Sequence, residues 1–298
     1  MSKRKYFLIG TVLGLLLFYP FPSYASEEVA VMPAQGKTFG TWFWETSMIQ
    51  THPNEVLTFI EEKQVNQLYL QINRKIDVET YRWFIEQAAA RNIEVHALDG
   101  GPNWVSPEGG KYRDQFFDWV MTYQNSATPA QQFRGIHLDV EPYLYKGWKE
   151  DYQNTVSRFQ DFIDHSYSDS RKMNLKLTLA VPFWYDNRQY SNKYGEGNLG
   201  HWVIQNTDQI AIMAYRDRAE EIIKLVEQEI LWAKELNKQV LIGAETKETA
   251  EGDKITFYEE GSTVLFDQLD QVYARYAQVP SFNGFAIHSL RWWMELKP

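Results

Sequence analysis

The chain has 298 residues, no cysteine and a formal net charge of −9. The acidic balance argues against nucleic acid and anionic membrane surfaces as partners. The lack of cysteine excludes disulfide bonds and lipoprotein attachment, so the fold must depend on a core, for which the length is sufficient. Aromatic residues make up 15% of the chain, with 11 tryptophans, as expected where partly apolar rings such as sugars are bound.

The N-terminus has the three parts of a secretory signal peptide. A basic start at residues 3–5 precedes an apolar run over residues 6–19, and residues 23–25 form a small-x-small cleavage site. The run is shorter than the ~20 residues of a membrane-spanning helix. We therefore expect residues 1–25 to be removed and the protein to be secreted, with no membrane attachment. An uncleaved segment would instead anchor it.

Strands and helices alternate along the rest of the chain, with no linker, repeat or low-complexity segment. Each is predicted from apolar residues at strand or helix spacing. The predicted strands cover residues 38–44, 65–72, 93–98, 135–141, 175–183, 209–215, 239–244 and 284–289. The predicted helices cover residues 53–63, 77–92, 112–123, 148–166, 200–206, 219–236 and 263–277, with a last turn at 291–296 and Asp77 as an N-cap.

Eight strands and seven or eight helices predict a single (β/α)8 TIM barrel over residues 37–298, since such barrels typically need ~250 residues. Residues 26–36 are expected to form an irregular leader. A loop is predicted at 186–199, and a small hairpin near 251–253. An open doubly wound sheet is the alternative, but the turn after the first strand, residues 44–47, lacks the glycine-rich phosphate loop typical of that fold.

His137, Asp139 and Glu141 alternate with apolar residues on the fourth predicted strand and therefore share one strand face. Two carboxylates and an imidazole on one face repel or desolvate one another unless a site uses them. The plainer alternative is a half-buried strand with a solvated face. A metal site is a further alternative. However, a catalytic metal usually takes ligands from several elements, so we expect no metal and no cofactor.

The ends of the predicted strands bring acidic and aromatic side chains to one pocket, because barrel strands converge at their C-terminal ends. Aromatic rings stack on sugar faces and carboxylates perform acid-base chemistry at glycosidic oxygens, so the set predicts a carbohydrate site. The candidate catalytic residues are Asp139, Glu141, Tyr215 and Glu245, and the candidate substrate-binding residues are Trp42, Trp44, Trp104, His137, Trp184, Arg216, His288 and Trp292.

Two mechanisms fit these residues. In the first, Glu141 is the acid/base and Glu245 the nucleophile, with the carboxyl groups ~5 Å apart. In the second, Glu141 is the only catalytic acid and the substrate's own N-acetyl group attacks the anomeric carbon. Asp139 then orients that group and raises the pKa of Glu141. A structural role for Glu245, paired with Lys247 or Arg291, is as well supported as a nucleophilic one.

Five segments resemble motifs of glycoside hydrolase family 18, the chitinase-like barrels. Residues 133–143, FRGIHLDVEPY, resemble the family's fourth-strand motif FDGIDIDWEYP. Residues 97–101 resemble its third-strand SxGG and residues 213–215 its sixth-strand MxY. Residues 238–243 are similar to its seventh-strand KxxxG, and residues 284–290 to its eighth strand. The resemblance implies a general acid at the glutamate of the fourth-strand motif.

The matching positions imply a role for each residue. Glu141 would be the general acid, Asp139 the orienting acid and Tyr215 a hydrogen-bond partner of the substrate's acetamido group. The resemblance thus implies a glycosidase that acts on a polysaccharide containing N-acetylhexosamine or a related sugar, and we expect it to be a monomer.

The chain departs from the family at four motif positions. Arg134 and His137 replace the first two aspartates of the fourth-strand motif, and Arg216 replaces the aspartate after the sixth-strand tyrosine. His288 aligns with the tryptophan that floors the family's central subsite, a role that Trp292 or Trp293 would then take over. The alternatives are therefore a remote branch that acts on another glycan and a barrel that binds a glycan without cleaving it.

Overall fold

The structure is a computed structural model that describes residues 36–298. The predicted signal peptide at residues 1–25 and nearly all of the predicted leader lie outside the described residues. Within the described part of the chain, no helix combines the length and the apolar character needed to cross a bilayer. Secretion therefore stays a prediction from the sequence.

Within residues 36–298, ten strands form a closed barrel and a separate hairpin. They are β1 (Thr38–Phe43), β2 (Gln67–Gln71), β3 (Glu94–Asp99), β4 (Gly135–Leu138), β5 (Lys176–Pro182), β6 (Gln189–Asn192), β7 (Gly195–Asn198), β8 (Gln209–Met213), β9 (Gln239–Glu245) and β10 (Phe282–His288). The barrel is parallel, in the order β1-β10-β9-β8-β5-β4-β3-β2, whereas β6 and β7 pair antiparallel. The predicted (β/α)8 architecture is confirmed.

Helices cover the outside of the barrel between successive strands. They are α1 (Met48–Thr51), α2 (Pro53–Glu62), α3 (Val78–Ala89), α4 (Gly110–Ser126), α5 (Gly147–Glu150), α6 (Tyr152–Lys172), α7 (Leu199–Gln205), α8 (Ala219–Glu235), α9 (Ser262–Tyr276) and α10 (Leu290–Glu295). Short 3-10 turns follow β3 at Pro102–Val105, β4 at Pro142–Leu144, β5 at Phe183–Asn187 and β9 at Asp253–Ile255.

Several helix-to-strand connections contain a non-glycine residue with positive φ, namely Gln64, Asn92, Asn174 and Asn237. In each connection, the backbone N–H of the following residue donates to the carbonyl group five residues before it, which closes the last turn of the helix. Asparagine is favoured here because its short polar side chain tolerates the left-handed conformation. These turns lead into the N-terminal ends of β2, β3, β5 and β9.

The two faces of the barrel strands belong to two separate apolar clusters. Outward-facing residues such as Phe39, Leu70 and Ile242 pack with the helices in the larger cluster. Inward-facing residues form the smaller one: Trp42, Tyr69, Leu98, Ala211, Leu241 and Ala286, with Trp44 packed against it. Because side chains fill the interior, a ligand must bind at the strand ends.

A polar network lies inside the barrel around His137. The Trp42 indole N–H donates to His137 Nε2 at 2.9 Å, and the Tyr69 ring stacks on the imidazole with centroids 4.0 Å apart. The Tyr69 hydroxyl donates to Gln67, whose amide nitrogen lies 3.0 Å from His96 Nε2. Burial lowers the pKa of His137 well below its ordinary value, and His96 adds to this effect. His137 is therefore neutral and supports the residues above it.

Three local predictions change. β4 ends at Leu138, and Asp139 and Glu141 lie on the loop that follows. This loop leads into Pro142, which has no backbone N–H to donate to a neighbouring strand. The segment at 186–199 contains the β6–β7 hairpin, whose strands QYSN and GEGN lack apolar alternation. The hairpin predicted near 251–253 is not observed, and a 3-10 turn lies there instead. Asp77 caps α3 as predicted.

Gly100 controls the position of the acidic loop. A Cβ at this residue would lie 1.9 Å from the Asp139 carbonyl oxygen. We expect Gly100→Ala to lower the free energy of unfolding by about 2 kcal/mol, because an overpacked site forces the backbone to move. Denaturant unfolding measures the change. Gly110→Ala is the matched control, since nothing lies within 4 Å of its added Cβ. Equal stability of the two variants would contradict this prediction.

Candidate active site

The loop after β4 brings two acidic side chains to the C-terminal mouth of the barrel. The Asp139 backbone N–H donates to the Asp99 carbonyl at 3.0 Å, which extends the pairing of β3 and β4 by one residue. Because His137 faces the barrel interior, alternation directs Asp139 to the same inner side. Glu141 comes two residues later, directly before the 3-10 turn. The three side chains were expected on one strand face. His137 lies on β4, whereas Asp139 and Glu141 lie on the loop after it.

Asp139 is poorly solvated. Its Oδ1 atom is buried and has no hydrogen-bond partner among the described residues. Burial and the neighbouring Glu141 carboxylate raise the pKa of Asp139 to about 7, while His288 opposes the shift. A carboxyl group that titrates near neutral pH can exchange a proton with an adjacent acid.

Two tyrosines lie close to Glu141. The Tyr143 hydroxyl donates a hydrogen bond to Glu141 Oε1. Tyr185 is buried, and its hydroxyl has no partner among residues 36–298. Burial raises the pKa of Tyr185 well above its ordinary value, and the charges of Glu141 and Asp139 raise it further. Both hydroxyl groups therefore remain protonated. Tyr143 was not among the predicted site residues, although its position two residues after Glu141 was a signal.

Glu245, the last residue of β9, is held by three hydrogen bonds. Its Oε1 atom accepts from the backbone N–H groups of Thr246 and Lys247 at 2.9 and 2.8 Å. Its Oε2 atom lies 2.9 Å from His288 Nδ1. Glu245 is thus bound by backbone donors and an imidazole, and not by the Lys247 or Arg291 side chain that the structural alternative named.

His288 links Glu245 to Trp44. The Trp44 indole N–H donates to His288 Nε2 at 3.2 Å, so the proton of the neutral ring lies on Nδ1 and is donated to Glu245. Burial disfavours the charged ring, but the hydrogen bond and charge of Glu245 outweigh it and raise the pKa of His288. The imidazole centroid lies 5.9 Å from that of Tyr215.

Tyr215 follows β8 and lies near both acidic groups of the mouth. Gly243 on β9 lies beside it: a Cβ there would be in ordinary contact, 3.5 Å, with the rings of Tyr215 and Trp42, and only 2.8 Å from the Ile212 carbonyl oxygen. Burial raises the pKa of Tyr215 well above its ordinary value, with further contributions from Glu245 and Asp139. Its hydroxyl group is therefore a neutral hydrogen-bond donor at working pH.

Aromatic side chains extend the site on the β4–β5 side. Trp184 is partly exposed, its ring lies 5.0 Å from that of Tyr143, and the Arg188 guanidinium covers it at 4.9 Å. Trp148 stacks on Tyr185 with centroids 6.1 Å apart. Trp148 thus joins the aromatic group at the mouth.

Three predicted sugar-binding side chains are closed off from solvent. Trp42 and His137 are 1% and 0% exposed and lie inside the barrel. Trp104 is buried on the 3-10 turn after β3, where it packs against Phe116 and Phe162. This corrects the expectation from the sequence: these rings support the site from below or from the side and present no surface to a sugar.

Arg216 and Trp292 lie on the rim. The Arg216 guanidinium lies over the Phe183 ring at 5.2 Å and 3.4 Å from a Glu221 oxygen. The Trp292 ring has the Lys247 ammonium group 5.4 Å above it. Both residues are partly exposed, so a contact with a long substrate stays a prediction.

The acidic residues that the structure describes at the mouth are not arranged as metal ligands. Within residues 36–298, no group of three or more histidine, cysteine, aspartate or glutamate side chains is arranged to hold one. His137 Nε2 accepts from Trp42, so the imidazole of the His137-Asp139-Glu141 series is engaged inside the barrel.

Comparison with known proteins finds similarity in structure alone. No protein-family model and no curated protein sequence matches the chain. A class V chitinase from Pseudomonas fluorescens matches with a TM-score of 0.55 at 9% identity, covering 86% of this chain and 96% of that one. A family 18 chitinase from Cycas revoluta, solved with (GlcNAc)3, matches with a TM-score of 0.51 at 13% identity, covering 87% and 96%.

The fold of this chain is therefore similar to the folds of chitinases, a family 18 chitinase among them. A D-psicose 3-epimerase from Clostridium cellulolyticum also matches, with a TM-score of 0.50 at 10% identity, covering 85% of this chain and 84% of that one. Because barrels of one shape carry different chemistries, these matches establish the fold, and function must come from the site.

The raised pKa of Asp139 gives a testable pH dependence. Its folded pKa of about 7 exceeds the ordinary 3.8, so the folded state binds more protons between these values and stability falls as pH rises through them. Asp139→Asn imitates the protonated acid. We expect it to be more stable than wild type above pH 7, by on the order of 2 kcal/mol, and to lose this advantage near pH 4.

Thermal unfolding of both proteins across this pH range measures the difference. The exposed Asp118→Asn on α4 is the control for loss of one negative charge. A constant difference between wild type and Asp139→Asn at all pH values would contradict the buried, protonated state of Asp139.

Proposed function

We propose that this protein is a glycosidase that cleaves a polysaccharide containing N-acetylhexosamine, with Glu141 as the proton donor. One observation carries the proposal: the adjacent acids at the mouth, where burial and the Glu141 charge raise the pKa of Asp139 to about 7. A proton held near neutral pH by two neighbouring carboxyl groups suits acid catalysis at a glycosidic oxygen. The similar structures include a chitinase solved with an N-acetylglucosamine trimer.

The reaction that we propose is substrate-assisted. Asp139 passes its proton to Glu141, which gives it to the glycosidic oxygen as the bond from that oxygen to the anomeric carbon breaks. The acetamido carbonyl oxygen of the substrate bonds to the anomeric carbon and forms an oxazolinium ring. The Asp139 carboxylate accepts a hydrogen bond from the acetamido N–H, and the Tyr215 hydroxyl donates a hydrogen bond to the acetamido oxygen. Water then attacks the anomeric carbon and gives a proton to Glu141, so the ring opens and the acid is restored.

The bonds of Glu245 favour this route over the two-carboxylate mechanism. A nucleophilic Glu245 would have to release an oxygen from the backbone N–H groups of Thr246 and Lys247 or from His288. Leaving these donors unsatisfied costs about 1–3 kcal/mol each. We therefore assign Glu245 a positioning role.

A barrel that binds a glycan without cleaving it is the second candidate, and one contact favours it. The Tyr143 hydroxyl donates to Glu141 Oε1, which stabilises the ionised carboxylate rather than the acid. If Glu141 is the proton donor, the hydrogen bond from Tyr143 must weaken, or Tyr143 must change its partner, when Glu141 is protonated.

Glu141→Gln separates the two candidates. We expect wild type to cleave N-acetylglucosamine oligomers or cell-wall glycan, and Glu141→Gln to lower kcat by about 1,000-fold while binding is retained, because a general acid contributes in this range. Product analysis and calorimetry measure the two quantities. Glu150→Gln, on the exposed end of α5, is the control. If wild type and Glu141→Gln both bind the glycan and neither cleaves it, the enzyme proposal is wrong and the glycan-binding barrel is supported.

The acetyl group of the substrate tests the mechanism. We expect glucosamine oligomers without acetyl groups to be cleaved at least about 100-fold more slowly than the acetylated oligomers, since the attacking oxygen and its favourable position are lost. Initial rates on matched oligomers measure the ratio. Equal rates, together with loss of activity in Glu245→Gln, would establish the two-carboxylate mechanism instead.

A further inference from the structure

Three side chains at the ends of β1, β9 and β10 form a hydrogen-bonded row with an obligate donor at each end. Backbone N–H groups can only donate, so Glu245 Oε1 must be an acceptor, and an indole N–H can only donate, so His288 Nε2 must accept from Trp44. The neutral imidazole between them has one arrangement that satisfies every bond, with its proton on Nδ1 facing Glu245 Oε2.

Trp44 is the member of the row that has surface at the mouth. It is partly exposed, whereas Trp42, two residues earlier on the same inner face, is buried. Trp44 packs against the inner apolar cluster, and its partner His288 lies beside Tyr215 and 5.6 Å from the Trp42 ring. The indole at the end of the first barrel strand is thus held by an imidazole at the end of the last one.

We propose that Glu245, His288 and Trp44 form a positioning relay, in which Glu245 fixes the tautomer of His288 and His288 holds the Trp44 ring as the stacking surface for the sugar next to Glu141. The sugar-stacking part of this proposal rests on the proposed function. The relay itself is a property of the free protein, because every bond in it lies between described residues.

The relay is sensitive to pH through His288. The groups that face this imidazole are Glu245 on β9, Asp139 after β4, Glu45 after β1 and the neutral Tyr215 after β8. A second ring proton would sit on Nε2 and meet the Trp44 N–H, donor against donor, so the indole bond is lost. Acid pH therefore releases Trp44, and alkaline pH keeps it in place.

Glu245→Gln is designed to reverse the tautomer. The backbone N–H groups of Thr246 and Lys247 require the amide oxygen on their side, so the amide NH2 must face His288 Nδ1. Nδ1 then accepts and the proton moves to Nε2, where it opposes the Trp44 N–H. The substitution changes one atom and keeps the shape of the side chain, so the fold is retained.

Nitrogen NMR of histidine-labelled protein at pH 8 reads the tautomer without any substrate. We expect protonated Nδ1 in wild type and protonated Nε2 in Glu245→Gln, together with a shift of the Trp44 indole N–H resonance, which Trp44→Phe assigns. Glu248→Gln, exposed three residues further on, keeps the wild-type pattern. Protonated Nε2 in wild type, or the same tautomer in wild type and Glu245→Gln, overturns the relay.

Kinetics on N-acetylglucosamine oligomers test the stacking role. We expect Glu245→Gln to raise KM by about tenfold with kcat within about twofold of wild type, as loss of one aromatic contact predicts. A fall in kcat of several orders of magnitude would overturn the positioning role in favour of a nucleophile. If wild type cleaves no glycan, the proposed function fails, whereas the NMR result still decides the relay.

Discussion

Burying the Asp139 carboxyl group beside a second carboxyl is the interaction on which the mouth of this barrel depends. An ionised carboxyl group is unfavourable in such a place, so the pKa of Asp139 is raised and the protonated form is favoured. The surroundings keep the pair in place. Gly100 lets the backbone of Asp139 approach closely, and Tyr185 is buried near both acids. The stability of the barrel therefore supports a local arrangement that is unfavourable by itself.

The filled interior explains how that arrangement is kept rigid. His137 has Trp42 on one nitrogen and the Tyr69 ring against its face, so the floor under Asp139 consists of interlocked aromatic groups. A small acid at position 137 would lack the stacking contact with Tyr69. His137, where the fourth-strand motif that the chain resembles has an aspartate, thus gives Asp139 and Glu141 an aromatic floor. Glu245 shows the same separation of roles, because its bonds bind β9 to β10 rather than leave an oxygen free.

The periodicity of the sequence was sufficient to predict the barrel and the common inner side of His137 and Asp139, because these depend on alternation alone. Alternation does not predict how deeply a side chain is buried along the barrel axis. Trp42 and Trp44 share an inner face, and only the packed barrel decides that the first is buried and the second reaches the mouth. The bonds of Glu245 were equally out of reach, since they come from backbone N–H groups whose direction depends on the loop after β9. The β6–β7 hairpin was missed because polar strands carry no periodic signal.

The left-handed residues that end several helices have a practical consequence. Gln64, Asn92, Asn174 and Asn237 lie where the chain enters β2, β3, β5 and β9, at the opposite end of the barrel from the acids. Glycine adopts this backbone conformation without the steric penalty that a side chain carries there. Glycine at these entry turns can therefore relieve a backbone penalty far from the acids, so stability can be raised there while the acidic mouth keeps its native geometry.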